Sequence, residues 1–96
     1  MIAYTDIKKI AVLGGGESGV GAAVLAKMKN YEVFLSEYGA LKPDYKKKLD
    51  EFSIPFEEHH HTMEKILDAD LVIKSPGIPD KAPVIKAIKG KDIPVI

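Results

Sequence analysis

Ninety-six residues make one small domain with one modest core. Fourteen basic and fourteen acidic side chains cancel, which argues against an electrostatic grip on nucleic acid or an acidic membrane surface. With no cysteine there is no disulfide framework and no cysteine metal site, and the ordinary apolar and charged fractions argue against disorder. No apolar run is long enough for a transmembrane helix. Met1 to Asp6 lacks the basic and apolar regions of a secretion signal, so the chain reads as cytoplasmic.

Apolar β-branched runs alternate with stretches of helical periodicity. Ile10-Ala11-Val12-Leu13 reads as a strand buried on both faces, the kind found in parallel sheets. Ser18 to Asn30 reads as a helix, with Val20, Val24 and Met28 at four-residue steps and Gly21, Ala22 and Ala23 small enough to approach a sheet. Glu32 to Ser36 is a second strand. Asp44 to Phe52 is a helix with Pro43 near its start and Tyr45, Leu49 and Phe52 on one face. Ile54 to Glu58 reads as a third strand, and Thr62 as the cap of a short helix with Met63, Ile66 and Leu67 inward. Asp70 to Lys74 is the fourth strand, followed by a rigid loop from Ser75 to Pro79. Pro83 opens a last helix that Gly90 closes, and Ile93 to Ile96 is a fifth strand, in which Pro94 best suits an edge position or the strand's start. Strands alternating with helices predict right-handed βαβ units. The expected fold is α/β, a Rossmann-like doubly wound parallel sheet of about five strands in the order 3-2-1-4-5. Residues 1–96 read as a single domain, and the stop at the last strand suggests a piece of a longer multidomain protein.

Gly14-x-Gly16-x-x-Gly19 carries the clearest chemistry, because it follows a predicted strand and opens a predicted helix. Gly14 allows the tight turn, Gly16 lets backbone approach a phosphate, and Gly19 lets helix pack against strand. The helix start offers free N–H groups and a partial positive charge to a diphosphate, and Ser18 can add a hydroxyl. No Gly-Lys-Ser/Thr follows, so this is not an ATP-hydrolysing P-loop. Glu37 has the spacing of the acid that binds a ribose hydroxyl in dinucleotide folds. Ser75-Pro76-Gly77-Ile78 falls at the carboxyl edge of the sheet, beside the switch point between strands one and four. His59-His60-His61 reads as a solvated strand end, since consecutive strand residues point to alternate faces and cannot easily converge on one metal ion. Glu57-Glu58 and Asp50-Glu51 read as surface charge. On these residues alone an NAD(P)-binding domain of a dehydrogenase or transport regulator stays open, as does a domain that binds only a protein partner.

Gly14 to Gly19, then Ser36-Glu37, then Ala69 to Pro79 together resemble the N-terminal domain of the Mur ligases, and within that family its D-glutamate-adding branch. The resemblance implies that the domain holds the UDP end of a UDP-N-acetylmuramoyl-L-alanine substrate rather than NAD. It implies a glycine turn that opens at Gly14 and in which Gly16, Glu17, Ser18 and Gly19 hold the diphosphate. Glu37 and Tyr38 would lie near the uridine, and Ser75, Pro76 and Gly77 would line the other side of the uracil. Where this chain has Glu37, the family commonly has aspartate. ATP and Mg2+ would act in a central domain and the amino acid would bind a C-terminal domain. No cofactor, catalytic residue or metal ligand is then expected in these residues, and the chain alone should be inactive. No nucleic-acid or membrane partner is implied.

Overall fold

The computed structural model describes residues 6–96. The segment read above for a secretion signal lies, apart from Asp6, outside the described residues. Strand β1 (Lys9–Leu13) explains the architecture. Its side chains alternate across the sheet. Ile10 and Val12 enter one apolar cluster, and Ala11 and Leu13 enter another. A strand buried on both faces needs helices on both sides, which parallel crossovers provide.

The chain continues through α1 (Glu17–Met28), β2 (Glu32–Glu37), α2 (Pro43–Glu51), β3 (Phe56–Glu58), α3 (Met63–Ile66), β4 (Leu71–Lys74) and α4 (Pro83–Gly90). All strand pairs are parallel, in the order β3-β2-β1-β4. Val20, Ala23 and Val24 of α1 and Leu49 of α2 pack on Ile10, Val12, Val33 and Leu35. On the opposite face Ile66 of α3 and Val84, Ile85 and Ile88 of α4 pack on Ala11, Leu13 and Val72.

Some details differ from the expectation or add to it. The segment from Ile93 to Ile96 does not form a fifth strand. It lies beside β4 and makes one parallel bridge, Val72 to Val95. The Val72 N–H donates to the Pro94 carbonyl and the Ile96 N–H to the Val72 carbonyl, both at 2.9 Å. Pro94 brings no N–H of its own, and the ladder is correspondingly sparse. Met28, which continues the four-residue steps of Val20 and Val24, is 65% exposed at the end of α1. α4 ends at Gly90 as expected, but the left-handed residue beyond it is Asp92, at φ 59°, with the Ile93 N–H returning to the Ile88 carbonyl. Asn30 and Ser53 end α1 and α2 in the same way, at φ 70° and 55°. Thr62 sits at the start of α3, but its hydroxyl makes no capping bond and goes to a carboxylate instead.

Candidate functional site

The carboxyl end of β1 runs into the glycine turn, and the three glycines have different reasons to be there. Gly14 takes φ 104°, and a Cβ on it would stand 2.6 Å from Ser75 Cβ across the switch point. A Cβ on Gly19 would fall onto the Gly14 carbonyl, 2.9 Å from its carbon. Gly16 has an ordinary extended backbone, and a Cβ on it would meet nothing within 4 Å. The protein itself makes no demand for glycine at Gly16; the open space in front of it is what a ligand would fill. Gly16 is also the N-cap of α1 and places no side chain over the helix end. The first-turn N–H groups of Glu17, Ser18 and Gly19 lack intrahelical acceptors, as at any helix start. Gly16, Glu17 and Ser18 are exposed.

Glu37, at the end of β2, joins two loops. Its Oε1 accepts the Gly15 N–H at 2.6 Å and its Oε2 the Gly39 N–H at 2.7 Å. Beside it opens a cleft of about 710 Å³. It is lined by Gly14, Glu37 and Tyr38 after β1 and β2, by His60, His61 and Met63 after β3, and by Ser75, Gly77, Ile78 and Pro79 after β4, with Ala82, Pro83 and Val84. Gly14, Glu37, Tyr38, Ser75 and Gly77 of the expected site thus share one cavity. Gly16, Glu17, Ser18, Gly19 and Pro76 are not among the lining residues; the turn stands next to the cleft through Gly14. A smaller cavity of about 290 Å³ lies at the amino ends of the strands, around Lys9, Glu32 and Asp68. Ligands of open α/β sheets favour the carboxyl ends, so the larger cleft is the candidate site.

The loop after β4 is braced from beneath. Ser75 N–H donates to the Leu13 carbonyl at 2.9 Å, and Ile78 N–H to the Ser75 carbonyl at 3.1 Å. Lys74 Nζ donates to the Ile78 carbonyl at 2.7 Å and lies 3.5 Å from Asp80.

Two readings of the charged residues need correction. Glu57 is not surface charge: its side chain is 7% exposed. Oε2 accepts the Ser36 hydroxyl and the Thr62 N–H, each at 2.7 Å, and Oε1 accepts the Thr62 hydroxyl and lies 3.0 Å from His60 Nε2. Burial pushes the Glu57 carboxyl up, but the Thr62 and Ser36 hydrogen bonds outweigh it and hold the group below its ordinary value. The three histidines are not one solvated unit either. His59 and His60 have side chains 67% and 63% exposed, but His61 is half-buried in the cleft wall. Its Nδ1 lies 2.7 Å from Ser36 Oγ, and its ring is 5.5 Å from that of Tyr38 at 48°. Burial lowers the His61 pKa against the pull of the Glu57 and Glu37 charges. No group of three or more metal-ligating side chains converges among the described residues. No helix among them is long and apolar enough to cross a membrane.

A parallel doubly wound sheet with a glycine turn after its first strand and a cleft at its switch point defines the Rossmann-like class. The model of the MurD N-terminal domain matches residues 9–84, and the chain belongs to that family. It is 56% identical over 89 residues to the UDP-N-acetylmuramoylalanine–D-glutamate ligase of Christiangramia forsetii, covering 93% of this chain and 20% of that protein. It is 57% identical over 90 residues to the ligase of the same name from Bacteroides thetaiotaomicron, covering 94% and 20%. The chain therefore spans only 20% of the length of these curated relatives. Among solved structures, UDP-N-acetylmuramate-alanine ligase from Thermotoga maritima superposes with a TM-score of 0.76 at 26% identity, covering 91% of this chain and 20% of that one. A murein peptide ligase from Psychrobacter arcticus reaches a TM-score of 0.82 at 20% identity, covering 93% and 18%, a likeness of fold.

Proposed function

We propose that this chain is the substrate-holding N-terminal domain of a cytoplasmic D-glutamate-adding ligase of peptidoglycan synthesis, and that it grips the UDP end of UDP-N-acetylmuramoyl-L-alanine. The observation that carries the reading is the meeting of the glycine turn and the Ser75–Pro79 loop across the switch point, in a chain of this family. The backbone N–H groups at Gly16, Glu17, Ser18 and Gly19, with the Ser18 hydroxyl, face the diphosphate. They stabilise it through charge-assisted hydrogen bonds and the helix dipole. Tyr38 offers an aromatic face to the uracil, and Ser75, Pro76 and Gly77 form the opposite wall. Glu37 works chiefly by holding the two loops around the base. ATP and Mg2+ belong to the full-length ligase on this reading. These residues do not fit them: the turn lacks the Gly-Lys-Ser/Thr of a nucleotide-hydrolysing loop, and no carboxylate cluster converges among the described residues. Amide formation therefore falls to other domains of the same protein, and this chain alone is inactive.

The test is a titration of the 15N-labelled chain with UDP, then with NADH, following amide shifts. UDP is expected to move Gly16 to Gly19 and Tyr38. Gly16→Ala, which the fold tolerates, is expected to weaken that response about tenfold or more, because its methyl occupies the anion's approach. Shifts with NADH and none with UDP would overturn the reading in favour of an NAD(P) domain.

A further inference from the structure

The cleft contains one polar atom whose chemistry is dictated from behind. Glu57 is ionised and can only accept hydrogen bonds. The Ser36 hydroxyl, fully buried, carries one proton and lies 2.7 Å from Glu57 Oε2. That proton is committed to the carboxylate, since otherwise two oxygens would face each other at hydrogen-bond distance with no proton between them. A weaker contact to the His60 carbonyl at 3.3 Å competes for the same proton and does not release it toward His61. Ser36 Oγ can then only accept from His61 Nδ1, at 2.7 Å. The chain of donors leaves His61 with its proton on Nδ1. Burial favours the neutral ring, so Nε2 carries a bare lone pair. No described side chain or backbone group pairs with Nε2, and no unpaired buried side-chain nitrogen or oxygen exists among the described residues. Nε2 is therefore accessible, on a residue that lines the cleft.

We propose that His61 reads the base: its Nε2 accepts a hydrogen bond from the imide N–H of a uracil held beside Tyr38. This rests on the UDP reading above and adds a selectivity to it. Uracil presents N–H at ring position 3, whereas cytosine presents a lone pair there, which a bare Nε2 repels. Glu57 and Ser36 are positioning residues that set the tautomer without touching ligand.

The experiment uses the 15N-labelled chain with three probes: UDP, CDP and 3-methyluridine 5′-diphosphate, which lacks the imide N–H. Wild type is expected to bind UDP about tenfold more tightly than either analogue, the worth of one well-placed hydrogen bond. Long-range imidazole spectra are expected to show a protonated Nδ1 before ligand and an Nε2 signal that moves on UDP but not on the methylated analogue. His61→Phe keeps a ring against Tyr38 and is expected to bring all three ligands to about the same weak affinity. Full discrimination retained by His61→Phe overturns the proposal, as does a wild-type Nε2 that carries the proton or ignores UDP. The two spectral outcomes need no variant to fold. If UDP leaves Gly16 to Gly19 unmoved, the UDP reading itself fails and the proposal falls with it. If UDP moves those amides without His61-dependent discrimination, only the proposal falls.

Discussion

Gly19→Ala is the sharpest perturbation of the turn. The added Cβ would overlap the Gly14 carbonyl oxygen, come within 2.9 Å of its carbon, and sit 3.7 Å from Val12 Cγ1. Backbone cannot swing aside as a flexible side chain can, so the helix start or the turn must shift by more than an ångström. Gly14 is pinned by its own N–H, which donates to the Ser36 carbonyl at 3.0 Å, and by the close approach of Ser75. Overpacking of this kind costs about 1–3 kcal/mol. A domain of this size has about 5–10 kcal/mol in total. At roughly 4–8 °C per kcal/mol, the midpoint of thermal unfolding should fall by about 4–24 °C. Gly21→Ala serves as the control on the same helix. A Cβ there meets nothing within 4 Å, and replacing a helical glycine should stabilise by roughly 0.5–1 kcal/mol. Far-UV circular dichroism melts of the three proteins decide the matter. If Gly19→Ala melts within a degree or two of the parent, the close packing of turn on helix is not what requires glycine there.

Glu57→Gln should lower stability by about 1–3 kcal/mol, because an amide cannot accept all the donors now aimed at the carboxylate. Denaturant melts measure the loss, and hydrogen exchange at the Thr62 amide should quicken; an unchanged Thr62 amide would count against the network. Acid should destabilise the chain in two stages. His61 is held below its ordinary value of 6.5, so the unfolded chain takes its proton first and stability begins to fall below that pH. Glu57 and Asp70 are held below their ordinary values of 4.5 and 3.8, Asp70 by the Lys8 and Lys9 N–H groups, and add a further loss as pH drops past those values. A melting temperature flat from pH 7 to pH 3 would contradict all three shifts. Ser53→Gly should raise stability by about 0.5 kcal/mol, relief of its φ of 55° being partly offset by the greater freedom of glycine in the unfolded chain. A lower melting point would mean that the serine side chain has a role of its own.

The sheet was legible because β1 and β2 are continuous apolar runs, and only burial on both faces explains such runs. The turn was legible because steric demands on Gly14 and Gly19 leave a direct mark on residue type. Ile93 to Ile96 has a strand's composition, yet pairing also needs donors, and Pro94 withholds one. The ends of α1, α2 and α4 were read to within two residues, but the left-handed positions beyond them went unmarked, because Asn30, Ser53 and Asp92 stand where glycine is usual. Glu57 was hidden for a different reason. Two adjacent glutamates before three histidines look solvated along the chain. Ser36 faces Glu57 only through the β2–β3 register, in which these two are paired. His61 enters the cleft through that same pairing. The one available sign was a serine ending an otherwise apolar strand.

Glu37 has a consequence for the energetics of association. Its two oxygens fasten the first turn to the loop that follows β2, so a ligand arriving in the cleft meets walls already in register. Little loop entropy then remains to be lost on binding. Shortening this brace, as in Glu37→Asp, would leave the other lining residues of the cleft in place. Affinity would still fall, because the ligand itself would have to supply the order that the carboxylate now maintains in advance.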